Sequence, residues 1–336
     1  MNIAIVGLGY WGPNLARNLK QLDVLSAVVD KDPSKVEKFR NDPIYCNVKT
    51  STSYEDSVFN SDVEAVVVAT PPNTHYTIAK ACLENGRHVF VEKPMTLRVD
   101  QSEELVKIAN KNKLILMVGH TFLYSPDIIK MKELVQAEEF GNLYYMYSRR
   151  LNLGKIQSPA NVIEDLAPHD IAIFNFISGK KCVAAQAFGT GCILDYSADI
   201  AFVNLRYEDG IIANLHLSWL DPFKIRDTVM VGSKQMIYCD SGTKELRIYN
   251  KGVDLQKQED EASGSYSKHL LTYRYGDMIT PYIDTYEPLR AEMEAFIFAI
   301  RSGKSPVSDG YMGLEVVKVL AAAQKSLRGK GEWIEI

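Results

Sequence analysis

The stretch Ile3–Gly12, IAIVGLGYWG, decides the fold of the first part of this 336-residue chain. Four apolar residues typical of a buried strand run directly into Gly7, Gly9 and Gly12, which have the spacing G-x-G-x-x-G. Gly7 permits a tight turn, Gly9 lets a ligand approach the backbone, and Gly12 permits close packing of the next helix on the strand. The N-terminus of that helix offers N–H groups and a partial positive charge to a pyrophosphate. The stretch therefore predicts a dinucleotide-binding βαβ unit.

An acidic residue follows the glycine turn at a distance that suits a ribose contact. Asp30 follows the apolar run Val24–Val29 and lies 18 residues after Gly12. Its carboxylate can accept hydrogen bonds from ribose hydroxyls and would repel a 2′-phosphate, so the predicted cofactor is NAD. The neighbouring Lys31 would suit a 2′-phosphate, which keeps NADP open as the less favoured cofactor. The predicted cofactor contacts in this region are Gly7, Gly9, Tyr10, Trp11, Gly12 and Asp30.

Charge and composition argue against several classes of partner. The chain carries a formal net charge of −4 with interspersed signs, which gives no basic surface for nucleic acid or an anionic membrane. No stretch approaches the roughly 18 apolar residues of a spanning helix, and the first strand begins without a charged and apolar leader. We therefore expect a cytoplasmic protein that binds small molecules.

The cysteine pattern predicts reduced structural thiols. Five cysteines are an odd number, and they are widely spaced and mostly within apolar runs. This pattern argues against a disulfide framework or a zinc site, so we expect no metal. They are Cys46, Cys82, Cys182, Cys192 and Cys239.

The pattern of elements predicts an α/β protein with two domains. Residues 1–121 alternate short β-rich runs with helical segments, which is typical of a doubly wound parallel sheet. Residues 122–336 contain several strands separated by short turns, which favours an open, mostly antiparallel sheet. Within Ile211–Leu220 one alternate face is wholly apolar and is predicted to carry the helices. The segment 259–287 shows no clear periodicity, and we expect either a functional loop or a solvated one.

The first chemical cluster is Glu92-Lys93-Pro94, directly after the predicted strand His88–Val91. In open α/β sheets, ligands bind at the carboxyl ends of the strands, so Lys93 is expected near the nicotinamide. An ammonium group there can hydrogen-bond the reacting oxygen and stabilise its developing negative charge. The alternative is a solvated lysine at a strand end.

The second cluster is Asp165-Leu166-Ala167-Pro168-His169-Asp170, at the start of a helix predicted over Pro168–Ile177. Histidine is suited to accept the hydroxyl proton of an alcohol near neutral pH. Asp165 lies four residues before His169, where it can hold one ring nitrogen. The alternative is a simple N-cap at Asp165 or Asp170, with His169 in the first turn.

Together these motifs resemble the Gfo/Idh/MocA oxidoreductases over essentially the whole chain. The matching motifs are GLGYWG, VVVATPPNTH, VEKP, the Asp165/His169 pair and EPLRAEMEAFIFAI. The resemblance implies an N-terminal NAD-binding Rossmann domain and a C-terminal α/β domain for substrate binding and oligomerisation. It implies Lys93, Asp165 and His169 as catalytic residues, and Glu92 as a contact of the nicotinamide ribose. It also implies a cofactor lining of Ala69, Thr70, Pro71, Asn73 and His75.

The resemblance also suggests a substrate class. RLNLG at residues 150–154, with DLAPHD, is similar to the nucleotide-sugar branch, in which a sugar hydroxyl is oxidised to a ketone. Several sugar and inositol dehydrogenases of the family have an arginine after the last Rossmann strand, where this chain runs Gly119-His120-Thr121-Phe122-Leu123-Tyr124. We expect a UDP-N-acetylglucosamine-like substrate and a homodimer or homotetramer formed through the C-terminal sheet. A free sugar or inositol dehydrogenase or reductase, or an NAD-sensing regulator, are the alternatives. The predicted substrate contacts are Lys93, His120, Arg150, Asp165 and His169.

Overall fold

A computed structural model describes residues 1–59, 62–154, 156, 160–257 and 269–336. The chain forms two compact units: residues 1–125 with 286–321, and residues 126–285 with 322–336. This division departs from the predicted boundary after residue 121, which assigned 286–321 to the second domain. The cause is long-range packing, because the ring of Phe296 contacts that of Phe90 at 5.8 Å between centroids and Asp309 forms a β-bridge with Met117.

The α-helices lie in both units of the described chain. They are α1 (Gly12–Gln21), α2 (Pro33–Arg40), α3 (Tyr54–Phe59), α4 (Pro72–Glu84), α5 (Val99–Asn112), α6 (Pro126–Val135), α7 (Val162–Ser178), α8 (Pro288–Ser302) and α9 (Gly310–Arg328).

The first unit is built on a parallel sheet of six strands in the order β3-β2-β1-β4-β5-β6. This order reverses between β1 and β4, which is the point where doubly wound sheets bind their ligands. The predicted doubly wound parallel sheet is confirmed. The strands are β1 (Ile3–Val6), β2 (Leu25–Val29), β3 (Lys49–Ser51), β4 (Ala65–Val68), β5 (His88–Glu92) and β6 (Leu116–Gly119).

The second unit is built on a nine-stranded sheet in the order β14-β13-β12-β11-β7-β10-β9-β8-β15. Among the described strand pairs, β10 and β7 run parallel and the others antiparallel, as a mostly antiparallel sheet requires. The strands are β7 (Leu143–Leu151), β8 (Cys182–Thr190), β9 (Ile200–Tyr207), β10 (Ile212–Ser218), β11 (Ile225–Gly232), β12 (Met236–Asp240), β13 (Glu245–Lys257), β14 (His269–Ile279) and β15 (Ile334–Glu335).

The alternation in β10 creates the predicted two faces. Ala213, Leu215 and Leu217 are buried, and helix α7 packs against this strand. On the opposite face Ile212 is exposed and His216 is half-buried. The apolar face therefore carries a helix as expected, and the mixed face is open in the monomer.

Two sequence-based boundaries were wrong. Helix α7 begins at Val162 and not at Pro168, because Asn161 caps it and Glu164 completes a capping box. Residues 269–279, within the segment predicted to lack regular structure, form strand β14 and pair with β13. The neighbouring Tyr266 lies outside the described residues.

Two short strands, β3 and β15, were not predicted at all. Strand β3 has only three residues, Lys-Thr-Ser, and carries no apolar pattern. Its pairing with β2 gives it strand structure that its composition does not indicate. No helix in the described part of the chain is long and apolar enough to cross a membrane.

Candidate active site

The glycine turn between β1 and α1 has the geometry of a phosphate cradle. Gly7 has a positive φ of 104°, and a Cβ there would lie 2.5 Å from the carbonyl oxygen of Ala69. A Cβ on Gly12 would collide with the carbonyl oxygen of Gly7, whereas one on Gly9 would meet no atom within 4 Å. Gly9 therefore borders open space that a Cβ would partly fill. Helix α1 has no side-chain cap and no acid in its first turn, so its N-terminus suits an anion.

Asp30 is anchored to this turn. Its Oδ2 accepts a hydrogen bond from the Leu8 N–H at 2.6 Å, and its Oδ1 accepts one from the Asp32 N–H at 2.9 Å. Lys35 Nζ lies 3.5 Å from Oδ2. A carboxylate has about four lone-pair positions, so these contacts leave room for a ribose hydroxyl. Tyr10 in the same turn is 88% exposed, which leaves its ring open to a ligand.

The turn after β4 forms the facing side of the cradle, and one predicted contact there needs correction. Thr70 lies in this turn and Asn73 is exposed in the first turn of α4. His75, however, is fully buried, and its Nδ1 and Nε2 lie 2.9 Å and 2.8 Å from the carbonyl oxygens of Pro94 and Thr70. Burial lowers the pKa of His75. Its ring therefore supports two backbone turns and does not line the cofactor.

Glu92 and Lys93 lie where β5 ends. Glu92 Oε2 accepts a hydrogen bond from the Lys93 N–H at 3.2 Å, and a Cβ on Gly119 would lie 3.0 Å from the same oxygen. Burial raises the pKa of Glu92 to about 7. Lys93 is half-buried, and its peptide bond to Pro94 is cis. The strand end thus fixes a buried acid beside a basic side chain at the predicted ligand-binding edge of the sheet.

His120 follows β6 and is buried together with its polar atoms. Neither ring nitrogen has a hydrogen-bond partner among the described residues. Burial, assisted by the charge of Lys93, lowers the pKa of His120 to about 3. The imidazole is therefore neutral over the physiological range and can donate or accept a hydrogen bond. Its predicted contact with substrate stays a prediction.

The sequence reasoning missed one acidic residue in this unit. Glu292 in α8 is fully buried, and its Oε2 accepts a hydrogen bond from Thr121 Oγ1 at 2.7 Å. The sequence does contain an indication of this buried acid, because Glu292 interrupts a helical stripe of buried apolar residues. The stripe contains Leu289, Glu292, Met293, Phe296 and Ile297.

In the second unit, helix α7 carries the predicted acid–base pair. Asp165 and His169 are four residues apart within one continuous helix, so they share a face. Pro168 lies inside this helix and does not begin it. The alternative interpretation of Asp165 or Asp170 as an N-cap is wrong, because Asn161 occupies that position.

Trp219, another residue that the sequence reasoning missed, holds Asp165. Its Nε1–H donates a hydrogen bond to Asp165 Oδ2 at 3.3 Å, and the indole is buried. The RLNLG motif supports this indole, since the Gly154 N–H donates to the Trp219 carbonyl oxygen at 2.9 Å. A Cβ on Gly154 would lie 2.9 Å from Trp219 Cδ1. The RLNLG motif therefore positions Trp219, the hydrogen-bond partner of Asp165.

The arginines of the same motif have structural partners. Arg150 is buried and donates two hydrogen bonds, both 2.9 Å long, to the carboxylate of Asp170. Arg149 on the opposite face of β7 forms an ion pair with the buried Asp227. The predicted substrate contact of Arg150 needs correction, because its guanidinium is buried and its hydrogen bonds to Asp170 connect β7 to α7.

Comparison with known proteins identifies the family. The sequence model of the oxidoreductase family with an NAD-binding Rossmann fold matches residues 1–120, and that of the GFO/IDH/MocA C-terminal domain matches residues 128–238. The chain belongs to the Gfo/Idh/MocA family of NAD-binding oxidoreductases, as its motifs predicted.

Individual relatives extend this match over nearly the whole chain. A UDP-N-acetylglucosamine 3-dehydrogenase of Acidithiobacillus ferrooxidans is 26% identical over 96% of this chain and 95% of its own. A myo-inositol 2-dehydrogenase of Thermotoga maritima is 25% identical over 98% and 97%, respectively. The solved structure of the A. ferrooxidans UDP-N-acetylglucosamine 3-dehydrogenase has a TM-score of 0.83 at 23% identity, with 98% of each chain covered.

Proposed function

We propose that this protein transfers hydride between a secondary hydroxyl or ketone of a sugar and NAD, and that the sugar is nucleotide-linked. The observation that carries the proposal is the Asp165/His169 pair on one face of α7, with Asp165 held by Trp219. Bound NAD supplies the acceptor or donor of hydride. The glycine turn, the anchored Asp30 and the turn after β4 would hold it.

Each of the three proposed catalytic residues has a separate role in proton transfer or in charge stabilisation. His169 takes the hydroxyl proton as the carbinol is oxidised and returns it in the reverse direction. Asp165 orients the imidazole and stabilises its protonated form. Lys93 donates a hydrogen bond to the reacting oxygen and stabilises its negative charge.

The nucleotide-linked substrate rests on two similarities: the RLNLG and DLAPHD motifs, and the 26% identical relative named for UDP-N-acetylglucosamine. Reduction of NAD⁺ followed by absorbance should show higher kcat/KM for UDP-N-acetylglucosamine and other nucleotide sugars than for the same sugars without the nucleotide. Free sugars and inositols form the control panel. Equal or higher rates with the control panel would exclude the nucleotide requirement and favour the inositol dehydrogenase alternative, which the myo-inositol relative supports.

We also propose that the open face of the nine-stranded sheet forms a homo-oligomer. Apolar side chains from four adjacent strands are between 44% and 55% exposed on one face of this sheet. These side chains form two cross-strand pairs: Phe188 is opposite Phe202, and Tyr145 is opposite Ile212. An exposed apolar surface of this kind is typical of an interface. The members are Tyr145, Phe188, Phe202 and Ile212.

A double substitution of Phe202→Glu and Ile212→Glu should therefore convert a dimer or tetramer into a monomer. Two buried charges facing their own copies would oppose association. Light scattering coupled to size-exclusion chromatography measures the mass. Phe298→Glu, at an exposed phenylalanine of α8, is the matched control and should keep the mass of the unchanged protein. An unchanged mass in the double variant would contradict the proposed interface. The predicted cytoplasmic location stays a prediction.

A further inference from the structure

Glu292 is a buried acid that the proposed reaction does not use. Its Oε2 accepts the hydrogen bond from Thr121, whereas its Oε1 is buried without a hydrogen-bond partner among the described residues. An ionised carboxylate in this position would lose its hydration without full compensation. The protonated form is therefore favoured, and its O–H group requires an acceptor.

The fold brings Glu292 and Glu92 into one buried region. Phe90 and Glu92 are two residues apart in β5 and share a face, while Glu292 lies one helical turn before Phe296 in α8. Since the rings of Phe90 and Phe296 are in contact, the two acids extend from the same packed surface. Gly119 is opposite Glu92 in the sheet, and Thr121, the partner of Glu292, follows two residues later.

The electrostatics of the two acids are consistent with this placement. Burial, followed by the negative charge of Glu92, raises the pKa of Glu292 well above its ordinary value. Burial also raises the pKa of Glu92, while the nearby Lys93 opposes this shift. The other polar groups facing the region are the neutral His120, the hydroxyl of Thr121, and Tyr124, whose own pKa is raised by burial and then by the charge of Glu292.

We propose that Glu92 and Glu292 share one proton at neutral pH, and that Glu292 acts through this proton as a positioning residue for Glu92 and the adjoining Lys93. The acid O–H of one carboxyl group donates to the carboxylate of the other. The pair then carries a single negative charge beside the ammonium of Lys93. The expected effect on turnover rests on the proposed function, whereas the shared proton does not.

Infrared difference spectroscopy tests the shared proton without any substrate. Wild-type protein minus the Glu292→Gln variant at neutral pH should show the carbonyl band of a protonated carboxylic acid. Glu294→Gln is the matched control, because Glu294 lies on the same helix in an exposed pair with Arg290 and should give no such band. Absence of the band in the Glu292→Gln difference spectrum would overturn the proposal whether or not the enzyme turns over any sugar.

The pH dependence of stability gives a second readout. A carboxyl group whose pKa is raised on folding binds a proton that the unfolded chain releases, so stability is greatest below the ordinary carboxyl pKa and falls as pH rises through the folded value. For Glu92 that value is about 7. The Tm of the wild-type protein should therefore decrease as the pH is raised from about 5 to about 8. The Tm of Glu292→Gln should decrease less over the same range. An unchanged slope would contradict the coupling.

Two substitutions of Glu292 distinguish a positioning role from a purely structural one. Glutamine keeps an acceptor for Thr121 and a donor for Glu92, so Glu292→Gln should retain kcat and NADH affinity. Leucine fills the space but leaves both partners unsatisfied, so Glu292→Leu should lose about tenfold in kcat, since an unsatisfied buried polar group carries a desolvation penalty of that order. NADH fluorescence titration follows binding even if no sugar is turned over. Equal kcat and NADH affinity in the two variants would overturn the positioning role.

Discussion

Replacement of Lys93 with alanine should lower kcat by at least about 10²–10³-fold, the usual loss when a donor to a developing oxyanion is removed. The residue follows β5 at the ligand-binding edge of the sheet and lies beside the buried Glu92. Since the glycine turn and Asp30 are separate from it in the sequence, NAD should still bind with nearly unchanged affinity. Single-turnover reduction of NAD⁺ by the preferred sugar measures the first effect, and calorimetric titration with NAD measures the second.

The control for this variant is Lys107→Ala, which removes an exposed lysine of α5 in the same unit. Its kcat and its NAD affinity should equal those of the unchanged protein. Full activity in Lys93→Ala would remove Lys93 from the proposed mechanism. Loss of NAD binding together with activity would instead assign Lys93 to cofactor binding alone.

The parts of the fold that sequence predicted well are those that local patterns determine. Strand β1 and helix α1 follow from ten consecutive residues, because the glycine positions are set by contacts within the turn and with one neighbouring strand. The two faces of β10 likewise follow from alternation alone. In both cases the physical cause lies within a short stretch of chain.

The errors arise where distant contacts outweigh a local rule. Pro168 suggested a helix start, since proline removes a helical N–H, yet α7 continues through it from the capping box at Asn161. Strand β14 lacks a clear pattern of its own and gains its structure from β13. Arg150 was predicted to meet a ligand because its pairing with Asp170 cannot be read from the sequence.

The missed site residues share the same cause. Thr121 and Glu292 are 171 residues apart, and Asp165 and Trp219 are 54 residues apart. Each pair joins a residue of a quoted motif to a partner outside the motifs: Asp165 of DLAPHD to Trp219, and Glu292 of EPLRAEMEAFIFAI to Thr121. Motifs therefore locate the groups that meet the ligand, whereas the residues that hold those groups become visible only when the chain is folded.

Replacement of His169 with alanine should lower kcat by about 10²–10⁴-fold, which is the usual contribution of a general base. Asp165 remains bonded to Trp219 in this variant, so α7 should keep its structure. Added imidazole should restore part of the activity, because it can occupy the space left by the ring and accept the hydroxyl proton. Steady-state rates with increasing imidazole measure this rescue.

Ser178→Ala serves as the control at the other end of α7, where the hydroxyl donates to the Phe174 carbonyl oxygen and accepts from the Lys180 N–H. It should keep the unchanged kcat and show no response to imidazole. Rescue in His169→Ala would connect the lost rate to proton transfer and not to folding, since a structural defect has no reason to respond to a free base. An His169→Ala protein with full activity, or with a loss that imidazole leaves unchanged at saturating NAD and sugar, would contradict the assignment of the general base to α7.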